Sequence, residues 1–398
     1  MANRLIYFDN VSGIPVSSEV LRSMLPFLSE TFGNPSSLHW AGDEPRRAIE
    51  EARQHVSDLI GSSKEEIIFT SSGSEANNLA IKGYALANRT KGNHVVVSQV
   101  EHFSVLHSAN SLEGMGFRIS RLPVDSSCMV DPEEVKRAIG RDTILVSVMH
   151  SNNEVGTIEP IREIAAVAHE SGIAVHTDCV SSCGNVPLDV NGLGIDLLTL
   201  SANQFGGPKG AAALYVRKRT RMLPQIEGGI QESGLRAGIE NTPAIVGMGK
   251  AAEIAMREMP VYAGEVKLLR DELERRILES TEHISVNGHR RERLPGHLNL
   301  SVDFVQGEAM LAFLNDHGVA ASSGSSCASR ALKASHVLTA MGIPPERAQS
   351  SLLFTLWREN NDEEVELVAN LFPGLVKRLR DMSPLYHNAV REKGTGKP

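Results

Sequence analysis

The chain has 398 residues, 41% of them hydrophobic and 22% charged, enough apolar material for one large core or two cores side by side. A formal net charge of −8 argues against a nucleic-acid surface, which needs clustered Lys and Arg. No apolar run reaches the ~18 residues of a membrane span, MANRLIYFDN lacks a signal-peptide core, and four cysteines make no disulfide framework. These features point to a reducing cytoplasm.

In chain order, six short β-rich runs stand out: EEIIFT (65–70), HVVVSQV (94–100), TILVSVMH (143–150), IAVHTD (173–178), DLLTLS (196–201) and AAALYV (211–216). Helical patterns lie between several of them, at 74–88, 131–140 and 160–171. This alternation predicts an α/β fold, a mostly parallel sheet covered on both faces, with ligands beyond the carboxyl ends of its strands. From about residue 256 the texture changes. A long helix interrupted near Pro260 and Gly264 is followed by strands at 297–304 and 351–356, a Gly/Ser loop ASSGSSCASRA (321–331) and an acidic-to-basic helix. The expected organisation is a large α/β domain over 12–255. A small α+β domain is built from 1–11 and 256–398, carrying the Cys327 loop and a tail, VREKGTGKP, that reads as disordered.

The strand ends carry the chemistry. After the first comes Ser71-Ser72-Gly73-Ser74-Glu75, either a plain helix cap or a phosphate site on free N–H groups. After the second comes Glu101-His102, and a lone His at a strand end is more often structural than catalytic. The third is followed by Ser151-Asn152-Asn153-Glu154, and the fourth closes on Asp178. At the fifth, Ser201 is another phosphate candidate, ahead of Asn203, Gln204 and a GGPKG turn. An anion site, a His, an Asn, an Asp and a Ser converging suit a phosphorylated aromatic cofactor better than a metal, since no cluster has metal-ligand spacing. Cys327, between small residues, is a nucleophile, a sulfur carrier or an incidental thiol.

Taken together, GNPSSLH (33–39), FTSSGSEANNLAI (69–81), EHFSVL (101–106), NNEVGTIEPI (152–161), HTD (176–178), GGPKGAAALYVR (206–217), QESGLRAGIEN (231–241), SSGSSCAS (322–329) and SHVLTAMG (335–342) resemble cysteine desulfurases of the IscS/NifS type. These belong to the class V aminotransferases of pyridoxal-phosphate (PLP) fold type I. The resemblance covers nearly the whole chain. It implies a mostly parallel seven-stranded sheet flanked by helices, with a smaller α+β domain, in a homodimer. It also implies PLP chemistry that moves sulfur from L-cysteine to a loop cysteine as a persulfide, for delivery to an IscU-like iron–sulfur scaffold or a tRNA-modifying enzyme. By resemblance His102 stacks on the cofactor ring and takes part in catalysis, Asp178 pairs with the ring nitrogen, and Asn153 lies near the substrate. Gly73, Ser74 and Ser201 hold the phosphate, Ser181, Asn203 and Gln204 complete the cofactor site, and Cys327 is the persulfide carrier.

Four positions depart from the family pattern. The cofactor-binding lysine that comes after Ser-x-His is Gln204, and an amide is neither basic nor nucleophilic. Lys209 is no replacement, because the family carries the GPKG lysine in addition. A ring-oxygen Gln is Ser181, a phosphate-reaching Thr is Ile239, and the substrate-carboxylate Arg falls on Leu353. Loss of the Arg leaves about 2–5 kcal/mol unrecovered, and loss of a positioned base costs a further factor of about 10² to 10⁴. In DCVSSCG, Cys179 and Cys183 share a face if a helix begins there; they either fill space or join Cys327 as thiolate ligands of an iron–sulfur cluster. The expectation is a sulfur-transfer protein of iron–sulfur assembly that binds PLP non-covalently with little intrinsic desulfurase turnover. The alternatives are a non-catalytic homodimeric docking partner for a scaffold protein and an enzyme of altered chemistry in the same pocket.

Overall fold

A computed structural model describes residues 5–324, 334–384 and 386–388. Its strands are β1 (Ile6–Tyr7), β2 (Ile67–Thr70), β3 (His94–Ser98), β4 (Arg118–Leu122), β5 (Thr143–Ser147), β6 (Ala174–Asp178), β7 (Leu197–Ser201), β8 (Ala212–Val216), β9 (Ile284–Asn287), β10 (His297–Val302), β11 (Val319–Ala320) and β12 (Ser351–Thr355). Seven of them form one sheet in the order β2-β8-β7-β6-β5-β3-β4. β8 runs antiparallel to both β2 and β7, and every other pairing is parallel. The chain thus has the expected α/β fold with a mostly parallel sheet.

Continuous apolar sequence is what a sheet buried on both faces requires. In β3, Val96 faces one apolar cluster with Val146, Val175, Leu198 and Leu200, while Val95 and Val97 face another with Leu145, Leu197 and Leu214. Helices Trp40–Leu59, Ile161–Glu170 and the first part of Thr242–Ser280 cover the first face; the helical run from Gly73 to Ala87 and Phe103–Gly114 cover the second. A third cluster gathers Ile6, Phe8, Leu273, Leu298, Leu300, Phe354, Val368 and Phe372 around the antiparallel β12-β10-β9 sheet.

One expectation is corrected. The helix predicted to break near Pro260 and Gly264 is continuous over Thr242–Ser280, 39 residues. Proline removes a single intrahelical hydrogen bond. Here Met259 and Tyr262 on either side of Pro260 are buried in the third cluster and hold the helical path. The same helix therefore carries Ala251, Ala252 and Ala255 into the core under the seven-stranded sheet and Val266, Leu273 and Ile277 into the other core. Among the described residues no helix is long and apolar enough to cross a membrane.

Candidate functional site

The carboxyl ends of β2, β3, β5, β6 and β7 open onto one cavity of about 360 Å³. It is lined by Gly73, Ser74, His102, Asn153, Asp178, Ser181, Ser201, Asn203 and Gln204, so the cofactor-site residues singled out from sequence come together in one place. Cys327 lies outside the described residues, as does the tail.

Each side chain is positioned by local structure. Ser72 caps the helix beginning at Gly73, its side chain accepting from Glu75 N at 3.1 Å, and Gly73 and Ser74 of that first turn line the cavity. That helix continues through a π-turn (Leu79–Gly83) to Ala87. A Cβ on Gly73 would stand 2.8 Å from Val180 Cγ2 and 3.6 Å from Ser201 Cβ, so only glycine keeps this cradle open. His102 caps Phe103–Gly114, its Nδ1 accepting from Ser104 N. Asp178 ends β6; its Oδ1 accepts from Val180 N at 2.9 Å and its Oδ2 from Asn77 Nδ2 at 2.7 Å. Burial raises its pKa, against the pull of His102 and of these two donors. Asn77 Nδ2 also reaches Ser104 Oγ at 2.8 Å, which ties His102 and Asp178 into one hydrogen-bonded chain.

On the β7 side, Ser201 Oγ donates to Asn203 Oδ1 at 2.7 Å, and Gln204 Nε2 donates to Val11 O at 2.7 Å. Lys209 is exposed and does not line the cavity, and no Lys or Arg is among its described lining residues. Ile239 is exposed. Leu353 is fully buried in β12, opposite Asn299 and bridged to Ser322, and does not line the cavity.

Several lining residues carried no sequence signal for this role. Asn77 sits inside a helix rather than at a strand end, and Val11 and Ser12 arrive from the N-terminal segment. His336 joins Glu154, which the strand-end cluster already included, from 182 residues further along the chain. Glu154 Oε2 accepts from Ser335 Oγ at 2.5 Å, and burial pushes the Glu154 carboxyl up to about 7. His336 Nε2 lies 3.1 Å from Glu101 O, and its ring is 4.7 Å from that of Phe103.

Of the two readings of Cys179 and Cys183, their surroundings support the one in which they fill space. Cys183 N donates to Cys179 O at 2.8 Å, and this turn points both side chains into the apolar cluster of Val175, Ile195, Leu200 and Phe205, while Val180 and Ser181 between them line the cavity. Burial raises the Cys179 thiol and pushes Cys183 up to about 12. No group of three or more His, Cys, Asp or Glu among the described residues is arranged to hold a metal ion.

Residues 6–368 match the model of the aminotransferase class-V family. The chain is 47% identical over 383 residues to the cysteine desulfurase IscS of Methanosarcina thermophila, covering 96% of this chain and 95% of that one. It is 46% identical to the cysteine desulfurase IscS of Dictyoglomus turgidum over 381 residues, 96% and 97% of the two chains. A solved NifS-like protein superposes with a TM-score of 0.89 at 33% identity, covering 94% of this chain and all of that one. The chain belongs to the class-V aminotransferases, among the cysteine desulfurases of the IscS/NifS type.

Class-V aminotransferases are PLP enzymes, and the cavity of this desulfurase-family chain fits that group in all but one respect. The open cradle at Gly73, a helix N-terminus with Ser74 and Ser201 beside it, is chemically suited to a phosphate. Asp178, buried and held by two donors, is suited to a protonated ring nitrogen. What the described cavity lacks is an amine for covalent attachment.

Proposed function

We propose that this chain is a sulfur-transfer protein of iron–sulfur cluster assembly that binds PLP non-covalently, takes L-cysteine as substrate, uses Cys327 as its persulfide carrier and turns over slowly by itself. The observation that carries this reading is Gln204, a neutral amide already committed to the Val11 carbonyl where the family has its lysine. PLP would be held by Gly73, Ser74 and Ser201 at the phosphate, His102 beside the ring and Asp178 at the ring nitrogen; when bound, it supplies an electron sink for bond cleavage at the substrate.

The chain's own residues supply orientation and proton control. Asp178, locked by Asn77 and Val180, stabilises a proton on the ring nitrogen. His102 keeps a fixed orientation because Ser104 N donates to its Nδ1. Gln204 neither takes nor gives a proton near neutral pH, so the base expected at this position is missing, at a cost of about 10² to 10⁴ in rate. Exposed Phe32, Leu38, Trp40, Ile230 and Ile239 are apolar surface of the kind a homodimer covers, and this supports the dimeric reading. An IscU-like scaffold is the acceptor the reading names, with Cys327 also available as an iron–sulfur ligand to it.

The test is a visible spectrum, borohydride trapping and a sulfide-release assay on the purified protein with added PLP and L-cysteine. Slow sulfide release, a persulfide mapped to Cys327 and no trapped PLP are expected. The Gln204→Lys variant is expected to trap PLP and to release sulfide faster. Rapid turnover with PLP trapped on the unsubstituted protein overturns the role given to Gln204. Absence of any persulfide on Cys327 overturns sulfur transfer and leaves the docking role.

A further inference from the structure

Gln204 does more than leave a lysine out, because its hydrogen bonding fixes which end of the amide meets the ligand. Nε2 donates to the Val11 carbonyl at 2.7 Å, so the opposite orientation would set Oε1 against that carbonyl oxygen. Oε1 has no partner among the described residues, is not sealed from solvent, and belongs to a residue that lines the cavity. The wall therefore presents a fixed acceptor at the position where the family joins lysine to the cofactor's reactive carbon. The titratable side chains that line the cavity with it are Asp178, Glu154, His102 and His336, and no Lys or Arg does so among the described residues. A lysine at this position would bring one positive charge to that carbon; glutamine brings none.

We infer that Gln204 is a recognition group for the amine form of the cofactor, so that the cavity holds pyridoxamine 5′-phosphate in preference to PLP. This rests on the reading that the cavity takes a vitamin B6 phosphate non-covalently, and it agrees with the slow turnover proposed above, because only the weaker-held aldehyde form can condense with the amine of L-cysteine. The two ligands share ring and phosphate and differ at one carbon. The amine form carries an ammonium group there, which donates to Gln204 Oε1 in a charge-assisted hydrogen bond and restores the missing positive charge. The aldehyde form offers only an acceptor, which would face Oε1 oxygen to oxygen. Turning the amide to donate to it would break the bond to Val11 and leave that carbonyl without its partner.

The experiment is calorimetric titration of cofactor-stripped protein with pyridoxamine 5′-phosphate and, separately, with PLP, with inorganic phosphate as the baseline. The amine form is expected to bind at least about tenfold more tightly than PLP, the value of one charge-assisted hydrogen bond. Gln204→Leu, which has no acceptor, should erase the preference, and Gln204→Lys should reverse it in favour of PLP. The central measurement is a ratio on the unsubstituted protein, so poor folding of a variant cannot decide it. Equal affinities, or tighter binding of PLP, overturn the inference while leaving non-covalent binding intact. Binding of neither ligand beyond inorganic phosphate overturns the inference and the B6 reading of the cavity together. Sulfide release and the persulfide at Cys327 are measured independently of either outcome.

Discussion

Replacing Glu154 by Gln should make the protein's stability less sensitive to pH between about 5 and 8. Glu154 is buried, accepts a hydrogen bond from Ser335 Oγ, and has no cationic partner among the described residues. Burial raises its pKa from 4.5 to about 7. Between these values the folded protein binds a proton that the unfolded chain has released, so stability falls as pH rises through the window. The difference between these two values corresponds to about 3 kcal/mol, fully present below about pH 4.5 and gone above about pH 7. Glutamine has the same shape, keeps an acceptor for Ser335, and is neutral throughout. Thermal melts of both proteins at pH 5, 6, 7 and 8 should show the variant gaining on the unsubstituted protein by about 3–4 °C across the series, given an unfolding entropy of ~2 cal/mol/K per residue. The other titrating groups are common to both proteins and cancel in the difference. A melting difference that is constant with pH would refute the argument.

Glu232→Gln should cost about 3–5 kcal/mol, because both Arg53 guanidinium contacts at 2.8 Å are to a carboxylate that is almost wholly buried and also accepts from Phe69 N. Urea unfolding measures it, and the double variant Arg53→Met, Glu232→Gln should recover much of the loss; no recovery would mean the pair is not the cause. Asn77→Ala removes the donor to Asp178 and should weaken B6-phosphate binding by about tenfold or more, with about 1–3 kcal/mol lost in stability. Calorimetry at unchanged affinity would count against Asn77 as the residue that positions Asp178. Cys128, Cys179 and Cys183 are buried with raised thiol pKa values, so maleimide should leave their peptides unlabelled until the protein unfolds. Labelling of Cys179 or Cys183 in folded protein would reopen their access to the cavity.

Much of the large sheet was legible because its inner strands are buried on both faces and read as unbroken apolar runs. β4 was not, since RISRL lies at the sheet edge and leaves its arginines in solvent. The helix Trp40–Leu59 was hidden by its charged residues, which pair along its own surface, as Arg47 does with Glu44 and Arg53 with Glu50. The site was legible at strand ends, where topology alone forces convergence. Val11, Asn77 and His336 were not, because each reaches the cavity through packing between segments far apart in sequence. The cysteine pair shows the limit of spacing arguments. Four residues apart did mean one shared side, but only the packing of that turn tells whether the side is core or cavity.

The uninterrupted helix Thr242–Ser280 is about 58 Å long at 1.5 Å per residue, and it belongs to two cores at once. Melting either core would strip packing from half of a single hydrogen-bonded rod and weaken the grip of the other half. The molecule is built as two rooms sharing one roof beam. A protease nick between Ala255 and Met259 should therefore not release a separately stable piece; it should lower the melting temperature of both halves together.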